Sequence, residues 1–222
     1  MPTAKTAKPT KTIKPTDVAN VIEFYLICNK LKDTIRTGWQ NWGVNRDRLE
    51  SVAEHIYGTQ MLAIAIHSEF DYHLDLSKAL FMLAIHELGE ALIGDYTPFE
   101  IDKSTKEELE LKAVHQVLKP LKNHQQLEDL FTEFNNQKTP EAKFAHACDK
   151  LECDLQCKLY DEEHTVNLTD QTYPSALQDP IVQELFKDGA SWSEIWLKFS
   201  QQKHPYDPNF RAISDYALHH SL

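Results

Sequence analysis

From Thr16 onward apolar residues recur at intervals of three and four, the spacing of one face of a helix. Val18, Val21, Ile22, Tyr25 and Leu26 mark out a first helix to about Leu31, with Thr16 or Asp17 available as its N-cap. The stretch from Arg36 to Leu49 breaks the pattern. Its two tryptophans, two glycines and three arginines show no period, which predicts a loop rich in functional side chains. Ser51-Val52-Ala53-Glu54 is a capping box that opens a second helix through about Ser68 and puts His55 in its first turns, ahead of Met61, Leu62 and Ala65. A third helix, from Asp75 or Ser77 to about Leu88, is apolar nearly all round, the signature of central burial. Glu90 to Ile93 follows it, with Gly94 as stop signal.

Ser104 or Thr105 would cap a fourth helix to about Leu118, ended by Pro120, and a fifth runs from about Gln125 to Asn135. Pro140 behind Thr139 opens a long helix to about His164, and shorter ones are expected over 180–187, 191–202 and 210–219. No segment alternates with a period of two, and no internal repeat is present, so the fold class is all-α. Residues 16–222 are expected to form one helical domain. Residues 1–15, built from Thr, Lys, Ala and Pro around a single Ile13, cannot offset their ordering entropy and read as a disordered tail.

Composition narrows the classes. The net charge is −11, and since the first fifteen residues hold four lysines and no acid, the rest carries −15. A body this acidic opposes a polymeric nucleic acid, though a small anion can still bind where a few basic residues and a metal ion reverse the local field. No apolar run reaches a membrane span, and no apolar segment follows the N-terminal lysines, so no membrane association is expected. Four cysteines, three of them within ten residues at 148, 153 and 157, do not resemble an extracellular disulfide framework. A reducing cytoplasm is the expected compartment, and the cysteines are expected to pack as small core residues.

The residues with most chemistry end the third helix. His86, Glu87 and Glu90 follow wholly apolar turns, and burying such groups costs several kcal/mol unless something compensates them. If the helix continues, Glu90 lies four residues past His86 and three past Glu87, and all three project to one side. His55 and Asp149 also sit among apolar and small neighbours. Two imidazoles and two carboxylates from three helices form a mixed nitrogen and oxygen shell suited to Mn, Fe, Co, Zn or Mg. His115 and His146 are weaker candidates for the same site, and Trp192 and Trp196, one turn apart, are expected to pack in a core or dimer interface rather than stack on a base.

The order of these motifs resembles the HD-domain metal-dependent phosphohydrolases, and in particular their small 5′-deoxynucleotidase branch. The likeness rests on Glu50-Ser51-Val52-Ala53-Glu54-His55, on His86-Glu87 followed by Gly89-Glu90 and Gly94-Asp95-Tyr96-Thr97-Pro98, and on Ala142-Lys143-Phe144-Ala145 ahead of Asp149-Lys150-Leu151-Glu152. It implies an HD-domain helical bundle, with additional C-terminal helices, that is commonly a homodimer. It further implies one divalent metal ion (Mn, Co, Mg, Fe or Zn) on His55, His86, Glu87 and Asp149. Glu90 would orient or activate water, and Asp95 would contact the sugar or assist catalysis. Arg36 would hold the phosphate, with Arg48 a second candidate, Trp39 near the sugar or base and Thr97 beside the substrate. The implied substrate is a nucleoside monophosphate. Nucleoside triphosphates, guanosine alarmones and a nonenzymatic nucleotide- or metal-binding module are the alternatives. One departure is visible: the doublet is His-Glu where the family's name records His-Asp, so Glu87 must reach with an extra methylene.

Overall fold

The computed structural model describes residues 14–97, 100–171 and 174–222, and the expected tail lies almost wholly outside them. Among the described residues there is no sheet, only an isolated bridge between Ile35 and Ser51. Helix α1 spans Pro15–Asn29 and runs into a 3-10 turn at Lys30–Lys32. Pro15 takes the first helical position, where its missing N–H costs nothing, so Thr16 and Asp17 lie inside the first turn rather than capping it. Within the aperiodic segment a five-residue helix, α2 (Thr37–Asn41), forms directly after Arg36. Helix α3 (Val52–Glu69) starts at the capping box, with both reciprocal Ser51–Glu54 hydrogen bonds made.

Helix α4 (Leu76–Ile85), capped by Asp75, stops three residues sooner than its apolar pattern suggests. The amide of Leu88 donates to the carbonyl of Ile85 and that of Glu90 to Glu87, i to i−3 bonds that tighten residues 86–89 into a turn before the one-turn helix α5 (Glu90–Ile93). Helix α6 (Lys103–Leu118) is capped by Asp102, two residues ahead of Ser104 and three ahead of Thr105, the expected caps. Helices α7 (His124–Asn136) and α8 (Pro140–Glu162) follow, then α9 (Pro174–Leu177), α10 (Pro180–Lys187), α11 (Trp192–Lys203) and α12 (Pro208–His219).

The 23-residue α8 is the axis of the fold and packs against α3, α4, α7, α11 and α12. One core joins Met82, Leu83, Phe134, Phe144, Leu151 and Phe210, and a second, aromatic one joins Trp39, Trp42, Tyr160 and Trp192. His55, Thr59, Ala63 and Ile66 are the buried line of α3, whereas Met61 and Ala65 face outward. Cys148 and Cys157 are buried core residues as expected.

His146 is not part of the candidate metal group. Its ring lies 5.8 Å from that of Phe134 and 6.1 Å from that of His204. Burial, aided by the charge of Lys150, pushes both imidazoles down to about 4. The ordinary value is about 6.5. Between those limits the unfolded chain binds more protons than the folded one, so the contribution is complete above pH 6.5 and lost as the pH falls toward 4. Thermal melts are expected to show the unfolding midpoint dropping across that window, and His204→Gln is expected to flatten the drop.

Candidate metal centre and active-site cavity

The α3 capping box sets the register that buries His55 completely, facing α8. Its Nδ1 lies 2.5 Å from Glu152 Oε2, which leaves Nε2 directed at Asp149 Oδ1, 3.2 Å away. His86 donates from Nδ1 to the carbonyl oxygen of Leu83 at 2.8 Å, so its Nε2 also points inward, 3.4 Å from Nε2 of His55. Each ring is thus oriented through one nitrogen while the other is presented, the arrangement by which outer partners prepare histidines as metal ligands. The turn after α4 carries Glu87 to the same place, with Oε1 3.6 Å from His86 Nε2 and 3.8 Å from His55 Nε2. One ligand atom from each of His55, His86, Glu87 and Asp149 lies within 4.8 Å of the others, so these four could hold a metal ion.

Electrostatics favour a cation in that space. Burial opposes ionisation of Glu87, but His86, Arg36 and Lys106 outweigh it and hold its pKa below the usual carboxylate range. Burial likewise opposes ionisation of Asp149, yet Lys150, His55 and His86 hold it well below. Burial lowers the pKa of His86, which favours the neutral imidazole that a metal needs. For His55 burial and Arg36 also act downward, but Cys153, Glu152 and Asp149 outweigh them and hold a proton. A cation on Nε2 would displace that proton, so binding would weaken in acid.

The other sequence candidates are placed unequally. Glu90 is 2% exposed, neither of its carboxylate oxygens has a hydrogen-bond partner, and its nearest cation is Lys106 at 3.7 Å. Burial and the charges of Glu87 and Asp95 raise its pKa well above the ordinary value. Arg36 reaches Glu87 at 3.3 Å and Asp95 at 3.9 Å. Asp95 also accepts from the backbone N–H of Thr37 at 2.7 Å, fixing the start of α2 and so the base of the Arg36 arm. Trp39 is 2% exposed and donates through Nε1 to Glu50, so it forms the back of the cavity wall. Thr97 lines the cavity and bonds Glu100 through both its N–H and its hydroxyl. Arg48 lies outside the cavity: it is exposed on the surface and paired with Glu54.

The cavity beside the four donors has a volume of about 240 Å³, several times the ~30 Å³ share of one liquid water. Arg36, Lys106 and Lys150 line it together with Glu87 and Asp95, and α9 to α11 supply an apolar wall. Residue-type reasoning missed five contributors, one of them Lys150, which lines the cavity and pairs with Asp149 at 2.9 Å. Glu152 orients His55, and Gly58 makes room for it, since a Cβ there would meet the Glu152 carboxylate at 2.3 Å. Glu152 lies three residues after Asp149 and shares its helix face, a legible signal. Lys106 carries no comparable sequence mark. Cys153 is half-buried, and its sulfur accepts a hydrogen bond from Arg36 Nη2 at 3.2 Å, so it belongs to the cavity rather than to the core.

A family model described as HD domain matches residues 28–179. The 5′-deoxynucleotidase HDDC2 of Dictyostelium discoideum is 36% identical over 156 residues, 66% of this chain and 80% of the relative. The 5′-deoxynucleotidase hdd1 of Schizosaccharomyces pombe is 29% identical over 195 residues, 83% of this chain and 96% of the relative. A crystal structure from Magnetospirillum magnetotacticum MS-1, described as a predicted metal-dependent phosphohydrolase, shares the fold with a TM-score of 0.58 at 22% identity, over 91% of this chain and 96% of that one.

Proposed function

The chain belongs to the HD-domain family, and from that premise we propose that it is a metal-dependent phosphoric monoester hydrolase that removes the 5′-phosphate of a deoxynucleoside monophosphate. The observation that carries the reading is the convergence of His55, His86, Glu87 and Asp149 beside a cavity lined by Arg36, Lys106 and Lys150. His55, His86, Glu87 and Asp149 would hold one divalent cation, from Mn, Co, Mg, Fe or Zn, which when bound would supply Lewis acidity toward the phosphate and a more acidic water. Arg36 holds the phosphate, with Lys106 and Lys150 offsetting the charge that spreads over its oxygens as the ester bond breaks. Asp95 keeps the Arg36 arm in position. Glu90, with both oxygens unengaged and its pKa raised, accepts a proton from the attacking water. Water adds to phosphorus and the bond to the 5′ oxygen breaks; that oxygen takes up a proton from solvent while Glu90 gives up to solvent the one it accepted, so the products are a nucleoside and orthophosphate. Trp39 backs the sugar end of the cavity and Thr97 its loop side.

The test is orthophosphate release from a panel of deoxynucleoside and ribonucleoside 5′-monophosphates with Mn, Co or Mg, alongside elemental analysis of the protein. Release from monophosphates, abolished by a chelator and restored by metal, is expected. Pyrophosphate or triphosphate as product from nucleoside triphosphates or alarmones would overturn the monoester reading. Metal bound without turnover would make the chain a regulatory module.

The same reading includes a homodimer and a cytoplasmic location. Val18, Val21, Ile22, Tyr25 and Leu26, the apolar face of α1, are each more than half exposed, whereas Phe24 and Ile27 on its other side pack inward. A strip of five large apolar side chains on one helix is what a second copy would cover. Ile22→Glu is expected to shift sedimentation from dimer to monomer without loss of helical signal, because the side chain touches no core. The four free thiols support a reducing compartment. Among the described residues, no helix is long and apolar enough to cross a membrane.

A further inference from the structure

The apolar wall of the cavity comes from α9 to α11, and α11 lies beyond the residues matched by the family model. Its two outermost aromatic side chains, Trp196 and Phe199, are only half-buried, unlike Trp192 and Ile195 on the same helix. Trp196 is held on two sides. Its ring centroid lies 5.1 Å from that of Trp39, and its edge covers Gly38, where an added methyl would already touch it at 3.7 Å. That places the indole over the start of α2, two residues from Arg36. The buried Asp154 carboxyl accepts a hydrogen bond from Tyr206 Oη at 2.8 Å, and the Ser200 hydroxyl lies 3.3 Å from that same Oη.

Helix α8 links this wall to the charged lining. Lys150 contacts Asp149 of the metal group, and Asp154 lies one turn further along the same face, about 6 Å on. That separation suits the sugar between a 5′-phosphate and its base. We infer that Trp196 and Phe199 form the face on which the nucleobase stacks, with Asp154 and Ser200 at its edge. Stacking on an aromatic face discriminates little between bases, because every base has a π-face. The structure assigns to Trp196 the main part in selecting a nucleotide over a base-free sugar phosphate. The inference rests on the monophosphatase reading above.

The experiment compares wild type, Trp196→Ala, Trp196→Phe and Phe199→Leu with deoxyadenosine monophosphate and with 2-deoxyribose 5-phosphate, and measures deoxyadenosine binding by calorimetry. For wild type, kcat/KM is expected to favour the nucleotide. In Trp196→Ala that preference should fall by ~10- to 100-fold, mainly through KM, with deoxyadenosine binding weakened in parallel. Phenylalanine at 196 should recover most of both, which a merely structural role would not produce. Unchanged preference and unchanged deoxyadenosine binding in a folded Trp196→Ala protein would overturn the stacking face while leaving the monophosphatase reading intact. Absence of orthophosphate release by wild type from every monophosphate would sink that reading. In that case loss or retention of deoxyadenosine binding still decides for or against Trp196, and failure of wild type to bind the nucleoside counts against it.

Discussion

Replacing Glu90 by glutamine is expected to lower kcat by ~10²- to 10⁴-fold, the range in which a positioned proton acceptor contributes. The metal content of the purified protein should not change. The substitution keeps the shape of the side chain and removes only its charge. That charge is expensive where it sits, since neither oxygen has a hydrogen-bond partner and Glu87 and Asp95 lie close by. The variant should therefore melt at or above the temperature of the parent, so a lost rate cannot be ascribed to unfolding. The pattern separates three roles. A metal ligand would lose metal, a packing residue would lose stability, and a proton acceptor loses turnover alone. Elemental analysis, a thermal melt and single-turnover phosphate release read these out independently.

How much of this site could be read from residue order differs from element to element. The α3 register was legible because a capping box is local chemistry: Ser51 and Glu54 satisfy each other's backbone donors wherever the segment goes. Asp149 was legible because apolar neighbours surround a carboxylate on the most buried helix. The end of α4 was not, since an apolar pattern continues through Leu88 while the backbone tightens at Ile85 under hydrogen bonds that leave no mark on hydropathy. That turn nonetheless delivers His86 and Glu87 to a common point, which an uninterrupted helix was expected to do. Arg36 and Arg48 look alike in an aperiodic segment, and only the tertiary contacts of Asp95 and Glu87 separate the cavity arginine from the surface one. Periodicity also names a face without naming what covers it. The stripe on α1 is a genuine helical face that points to solvent, and Trp196 packs against the aromatic core as expected while also fronting a cavity, which its spacing does not reveal.

Restoring the family's doublet by Glu87→Asp is expected to harm this protein rather than improve it. The shorter side chain withdraws the carboxylate by about one carbon–carbon bond, ~1.5 Å. Glu87 Oε1 now sits 3.3 Å from Arg36 Nη1 and under 4 Å from both histidine Nε2 atoms, so the retreat costs the ion pair and the donor position together. A displacement of that size at a reacting centre costs about 100-fold in rate, and cation affinity should fall with it. Compensation by backbone movement is restricted on one side: Gly89, two residues on, packs against the α6 backbone, where an added Cβ would meet the Glu110 carbonyl oxygen at 3.3 Å. The turn that carries the doublet is wedged between α4 and α6, and its position is set by packing rather than by the side chain it presents. Titration of the metal-depleted protein with manganese or cobalt, followed by phosphate release at saturating metal, measures the two losses separately. If aspartate instead raises turnover, the glutamate is a feature that holds activity down, and the chain is better described as a metal-binding module than as a hydrolase fitted to its own longer ligand.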